Sequence, residues 1–350
     1  EMNKIKLAFL GSGYMGQNAH MTNYAELSDQ CEIVALAESR PGLGKLVASR
    51  YGIQSVFTTY EEMLKNVEFD AVVAAQDFSN HINIVPMVLE SKKPLLTEKP
   101  LCIGYETAIF LADCAEKNNT LHMVAYHKRS DPASEYAKTI VDEWKKSGEF
   151  GKMRLVRITV PPGNWTANAP SPLGTAEPYP DIQREKAPAY FPGQLGADYI
   201  SFVNYYIHQV NYMRFIMDEK YDVKYCDPTG VLMVVESENG ICGTLEMAPY
   251  QNRDDWQESI FVAFERGYVK VELPAPLASR QPGRVTILRE YKDRVAAVTE
   301  PLLPRIAAMK NQASNFLAAV RGERPVPCSS REAAEDLRIA VEYIKMRFGV

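Results

Sequence analysis

The stretch that most constrains this chain is Ile5–Leu10 followed by Gly11-Ser12-Gly13-Tyr14-Met15-Gly16. Apolar-rich, strand-like residues run directly into G-x-G-x-x-G, and the amphipathic segment from Gln17 to Leu27 has the length and polarity of a helix. The expected unit is therefore a strand, a tight turn and a helix N-terminus. Gly11 makes the turn, Gly13 lets backbone approach a pyrophosphate, and Gly16 lets helix and strand pack closely. The N–H groups at the helix start, with the helix dipole behind them, favour a phosphate. A second apolar run, Glu32–Ala37, ends at Glu38, 22 residues beyond Gly16. A carboxylate at that distance is placed to meet the adenosine ribose hydroxyls of a dinucleotide.

Strand and helix patterns keep alternating up to about residue 125. Lys45–Tyr51 reads as a helix stopped by Gly52, and Thr59-Tyr60-Glu61-Glu62 as a capping box. Asp70–Ala75 is continuously apolar after its first residue, as in a parallel strand buried on both faces. A helix holding Pro86, a short strand Pro94–Thr97, a helix from about Tyr105 to Lys117 and a strand Leu121–Ala125 complete a doubly wound parallel sheet over residues 1–126. The pattern then changes. Asp131-Pro132 opens a helix that runs to about Lys146, and Met153–Val160 is a strand. An irregular segment, Pro161 to Gly196, carries eight prolines together with Trp165, Tyr179, Tyr190 and Phe191. Loops of that length in a compact domain are usually functional. One helix from Ala197 to about Met217 follows, then five strands without intervening helices between Val231 and Glu290. Helices at about Leu302–Arg321 and Arg331–Phe348 close the chain, packing at the domain junction. Residues 127–350 are thus expected to form an α+β domain with an open, mostly antiparallel sheet beside the N-terminal α/β Rossmann domain.

Composition narrows the function classes. A net charge of −5 over 350 residues gives no basic face for nucleic acid. The six cysteines show neither C-x-x-C spacing nor nearby histidines, so buried thiols in a reducing, cytoplasmic setting are expected, with no metal site. No run reaches the roughly 18 apolar residues that span a bilayer, and the strand at Ile5 leaves no room for a leader in these residues.

At Glu98-Lys99-Pro100 the chain resembles the Gfo/Idh/MocA family of glucose–fructose oxidoreductase and inositol dehydrogenase-like enzymes. Besides G-S-G-Y-M-G and E-K-P-L, the likeness covers His81 after the third apolar strand, Tyr126–Arg129 after the last Rossmann strand, and the helix with Asn204, His208 and Asn211. It implies NAD(P)-dependent oxidation or reduction of a sugar, cyclitol or similar polyol. It also implies a cofactor site made of Gly11, Gly13, Tyr14, Met15, Gly16, Glu38, Gln76, His81, Glu98, Lys99 and Arg129. Glu38 favours NAD over NADP, against which Arg40 is the counter-indication, since an arginine there accommodates a 2′-phosphate.

In such enzymes the E-K-P lysine lies by the nicotinamide and the reacting carbon. Oxidising an alcohol requires a group to take its proton as hydride leaves, and a lysine beside a cationic nicotinamide has its pKa lowered. Lys99, His208 and Asn204 are accordingly the implied catalytic residues, and Lys99, His127, Trp165, Asn204, Tyr205 and His208 the implied substrate contacts. The family's D-x-x-x-H-x-x-D reads Asn204-x-x-x-His208-x-x-Asn211 here, three side chains on one helical face. An asparagine holds a hydroxyl but carries no proton, so Lys99 and His208 remain for proton transfer. Tyr205 offers a plane on which a sugar ring stacks. The 161–196 segment is expected to roof the substrate and to suit a bulky glycoside. His20, on the first helix, is expected only to pack. Oxidation at a ring hydroxyl, with C3 of a glucoside leading, in a homo-oligomer (dimer or tetramer) is the expected function. The alternatives are an NAD-dependent glycosidase working through transient oxidation and elimination, and a non-catalytic nucleotide- or sugar-sensing binding protein.

Overall fold

The computed structural model describes residues 3–350 and divides into two compact units that are discontinuous in sequence. The first gathers the chain up to Tyr126 with Ala169–Pro192 and Gln312–Leu337; the second gathers His127–Asn168, Gly193–Asn311 and Arg338–Val350. A single cut after Tyr126 therefore leaves two later segments on the wrong side, one of them from within the long irregular loop.

The first unit holds β1 (Ile5–Leu10), α1 (Thr22–Ala25), β2 (Cys31–Ala37), α2 (Pro41–Tyr51), β3 (Ser55–Phe57) and α3 (Tyr60–Asn66). It continues with β4 (Ala71–Ala74), α4 (His81–Glu90), β5 (Leu95–Thr97), α5 (Tyr105–Asn118) and β6 (His122–Val124). All six strands run parallel in the order β3-β2-β1-β4-β5-β6, the doubly wound dinucleotide-binding arrangement. Both faces are covered, so β4 and β5 are buried at every residue. Leu7, Phe9, Leu36, Val73, Leu96 and Met123 pack with Phe316 and Leu317 in one core. Each such side chain contributes about 1.5–3 kcal/mol of burial. The expected helix from Gln17 to Leu27 is less regular than its pattern suggested. Widely wound turns at Gly16–Met21 precede the four-residue α1.

The second unit holds α6 (Pro132–Ser147), β7 (Met153–Val160), α7 (Gln194–Tyr205), α8 (Ile207–Met217), β8 (Tyr221–Cys226), β9 (Leu232–Ser237) and β10 (Cys242–Met247). Then come β11 (Glu258–Phe264), β12 (Gly267–Leu273), β13 (Arg284–Arg289) and β14 (Ala297–Thr299). The eight strands lie in the order β14-β13-β12-β11-β7-β10-β9-β8, antiparallel except for the β7–β10 pair. The alternating burial of β11 and β12 shows one face fully packed and one half-buried. On the packed face Trp144 of α6 meets Phe150 at 4.3 Å and Phe264 at 5.1 Å between ring centres. The closing helices are α9 (Ala308–Val320) and α10 (Ser330–Phe348). The expected start of α9 at Leu302 is too early: Pro304 disfavours helical backbone at Leu303 before it. Of the six cysteines Cys242 is exposed and the others are buried, all as free thiols. Among the described residues no helix is long and apolar enough to cross a membrane.

Asp131 ties two elements of this unit together. Its carboxylate accepts the Ala133 N–H at 2.8 Å, capping α6, and the Gly283 N–H at 2.9 Å. Burial outweighs these bonds and pushes its pKa up to about 6. Replacing Asp131 with Ala removes the cap and strands the Gly283 donor, an expected loss of about 2 kcal/mol. A raised folded pKa gives stability that is present below the unfolded value and lost as pH rises through about 6. Asp131→Asn keeps an acceptor without the titration, so thermal melts between pH 4 and pH 7 should be flatter for that variant than for the parent.

Candidate active site

The carboxyl edge of the parallel sheet carries the features of a dinucleotide cradle. Gly11 has φ +86°, and a Cβ there would meet the Ala75 carbonyl oxygen at 2.7 Å. A Cβ on Gly16 would meet the Gly11 carbonyl at 3.1 Å, the close packing the third glycine permits. At Gly13, by contrast, the nearest atom to an added Cβ is the Tyr179 hydroxyl at 4.0 Å. Two glycines are thus required by the fold itself, and the middle one leaves space where backbone can approach a ligand. This geometry fits the pyrophosphate of NAD.

Glu38 follows β2 and is buried. Its carboxylate accepts the Ser12 N–H at 2.9 Å and the Ser12 hydroxyl at 2.8 Å, which locks it to the glycine turn. Arg40 Nε lies on the same carboxylate at 2.7 Å. Burial alone would raise the Glu38 pKa, but the Arg40 and Ser12 hydrogen bonds outweigh it and the group is held below the usual carboxylate range. Gln76, after β4, places its amide against Gly11.

Glu98 and Lys99 follow β5, with a cis peptide between Lys99 and Pro100. The Lys99 N–H points at Glu98 Oε2 at 3.2 Å. His20 is more than packing: its Nε2 lies 2.5 Å from Glu98 Oε1. Burial would raise the Glu98 pKa, but this bond and the charges of His20 and Lys99 hold it down. With Glu98 ionised, His20 Nε2 is the donor. The result is a buried His–Glu pair behind Lys99. His81 opens α4. It is fully buried, its Nδ1 is 2.9 Å from the Leu101 carbonyl, and burial lowers its pKa.

The second unit brings His127 and His208 edge to face, ring centres 5.2 Å apart. Lys128 and Glu258 form a buried ion pair at 2.5 Å, and Gln209 Nε2 donates to the other Glu258 oxygen at 2.7 Å. Arg129 was expected at the cofactor, but it is buried in this unit with Nε on Asn211 Oδ1 at 2.6 Å. The asparagine thus holds an arginine. The helix through Asn204, His208 and Asn211 is not continuous either. Tyr206 interrupts it, leaving exposed Asn204 on α7 and His208 and Asn211 on α8. Tyr205 is half-buried with its ring 4.8 Å from that of Tyr206.

The comparisons with known proteins agree with this architecture. Residues 5–126 match the model of the oxidoreductase family with an NAD-binding Rossmann fold, Gfo/Idh/MocA. That match covers the dinucleotide-binding part of the chain. Levoglucosan dehydrogenase of Pseudarthrobacter phenanthrenivorans is 27% identical over 179 residues, 49% of this chain and 44% of that protein. D-glucoside 3-dehydrogenase of Escherichia coli K12 is 28% identical over 125 residues, 36% of this chain and 35% of that protein. The matches thus span under half the length of these curated relatives. Across nearly the full length, a solved structure of levoglucosan dehydrogenase in complex with NADH superposes with a TM-score of 0.74. It covers 99% of this chain and 98% of that one at 18% identity, a likeness of fold.

The irregular segment contributes to both units. Its aromatics divide between the two units. Tyr179 lies over the Arg40 guanidinium at 4.1 Å, the Tyr190 hydroxyl reaches the Glu106 carboxylate at 3.2 Å, and Phe191 is buried. These partners all belong to the dinucleotide-binding unit. Trp165 falls in the other unit, 39% exposed, its carbonyl accepting the Leu277 N–H at 3.2 Å.

Sequence reasoning missed Glu177 and Glu185. Glu177 accepts the Gly42 and Leu43 N–H groups at 2.9 and 3.0 Å, and Glu185 accepts those of Ile103 and Gly104 at 2.8 Å each. They supply caps to α2 and α5, whose own N-cap residues, Arg40 and Gly104, make no side-chain cap bond. The absence of a Ser, Thr, Asp or Asn at the N-cap position of both helices was the available signal. Lys128–Glu258 was also missed. Its signal is that Glu258 shares the alternation of Ile260, Val262 and Phe264, a carboxylate in register with the buried face.

Proposed function

We propose that the chain is an NAD-dependent oxidoreductase acting on a ring hydroxyl of a sugar or glycoside. The observation that carries this reading is the carboxyl edge of the parallel sheet, which bears the open Gly13 turn, the Ser12-bound Glu38 and Lys99. Gly11, Gly13, Tyr14, Met15, Gly16 and Gln76 would hold the pyrophosphate half of NAD, and Glu38 its adenosine ribose. Bound there, NAD supplies a hydride acceptor.

Lys99 takes the hydroxyl proton in the oxidative direction, through Nζ, as the carbon it belongs to loses hydride. The buried Glu98–His20 pair fixes the backbone from which Lys99 projects. His208, edge-on to His127, is the second proton-transfer group. The departure from the family's two aspartates leaves this histidine as the titratable member of its triad, so Asn204 serves as a hydroxyl contact. Oxidation at C3 is the leading regiochemistry, which the name of the D-glucoside 3-dehydrogenase relative supports.

The reading is tested with a panel of monosaccharides, glycosides and cyclitols, following NADH absorbance and product together. A dehydrogenase yields one NADH per molecule oxidised, glycosidic bond intact. A glycosidase releases aglycone with no net NADH, and a binding protein binds cofactor without turnover of any panel member.

A further inference from the structure

We propose that Glu177 and Tyr179 complete the adenosine half of the cofactor site, and that Glu177 makes the site reject a 2′-phosphate. The inference rests on the reading of the glycine turn and Glu38 as an NAD site. The segment Ala169–Pro192 lies against the dinucleotide-binding unit along its length. The Asn18 amide donates to the Pro170 carbonyl at 3.1 Å, and Gln17 pairs with Leu173 through both backbone groups, at 3.0 and 2.9 Å. Gln17 also donates to the Ser12 carbonyl inside the glycine turn at 2.7 Å. The segment is therefore hydrogen-bonded to the residue that holds the turn.

Past Leu173 the segment meets the start of α2, the structure that follows Glu38. N–H groups there form an anion position, and in this chain Glu177 fills it, with Thr175 donating its hydroxyl to the same carboxylate at 2.9 Å. Those backbone donors keep Glu177 ionised below the usual carboxylate range. Tyr179 then spans the remaining gap. Its ring stands 4.1 Å from the Arg40 guanidinium carbon, and its hydroxyl is the nearest atom to the open side of Gly13. Arg40 is the residue that would welcome a 2′-phosphate, yet it is bound to Glu38 at 2.7 and 3.2 Å and covered by Tyr179. A phosphate on the ribose would meet two carboxylates and a guanidinium already engaged; a free hydroxyl would meet acceptors.

The test is a fluorescence titration of NADH and NADPH binding to the full chain without substrate. The parent should bind NADH more tightly. Glu177→Gln keeps the shape and removes the charge, and should shift the NADH/NADPH affinity ratio toward NADPH about five- to tenfold, the scale of one close like-charge contact. Tyr179→Ala should weaken both nucleotides about threefold or more. Glu185→Gln is the control, since it loosens the same segment at a different helix and should leave the ratio unchanged. Three results would overturn the proposal: an unchanged ratio in Glu177→Gln, an equal shift in Glu185→Gln, or tighter binding of both nucleotides in Tyr179→Ala, which would mean that the segment occludes the site. A parent that prefers NADPH would overturn the underlying reading of Glu38 as well.

Discussion

Lys99→Met is expected to lower kcat by roughly 10²–10⁴, the cost of losing a positioned acid–base group, while NADH binding and thermal stability stay near the parent's. The expectation follows from where Lys99 stands. It leaves the carboxyl end of β5, the edge at which open α/β sheets bind ligands, and is half-buried. Methionine matches the length and apolar stem of lysine without a titratable nitrogen, so packing is retained and proton transfer is not. Glu98 would keep its bond to His20, leaving the buried carboxylate partnered. If Lys99→Met turns over at near-parent kcat at neutral pH, Lys99 is not the base.

The second large effect is on stability. Lys128→Met should destabilise the second unit by about 3–5 kcal/mol, because it leaves Glu258 charged, buried and stripped of its cation. Glu258 would retain Gln209 as a side-chain donor. Lys128 also lies 5.4 Å from the centre of the Trp256 ring, so some packing is lost too. The double variant Lys128→Met with Glu258→Gln removes both charges and should recover much of the loss, since the cost of the single change is chiefly the orphaned carboxylate. Equal destabilisation by single and double variants in urea melts would show that packing dominates.

The first unit was legible because its signals are local. A glycine turn must follow its strand directly, a strand buried on both faces must be continuously apolar, and Glu38 is placed by chain length alone. The site's other features depend on residues far apart in sequence. Glu177 caps a helix 135 positions away, and nothing near either residue announces the pairing beyond an absent N-cap. The break at Tyr206 has no glycine or proline to mark it; its backbone, φ −86° and ψ −2°, stays near helical values while the hydrogen-bond ladder shifts. The 3.6-residue spacing of Asn204, His208 and Asn211 therefore read as one face of one helix. The bond between Asn211 and Arg129 was not legible because its partners lie 82 positions apart. The aromatic content of the 161–196 segment reads as too rich for an idle loop, but composition does not say which surface such a loop covers.

The most direct test of hydride transfer from a sugar-ring carbinol is the NADH yield of the parent chain on the panel of monosaccharides, glycosides and cyclitols, with products analysed in the same reaction. The account expects at least one member to give stoichiometric NADH and the matching ketone with any glycosidic bond intact, a signal that Lys99→Met loses. Tight NADH binding with no reduction of NAD by any panel member, or aglycone release without net NADH, would contradict it.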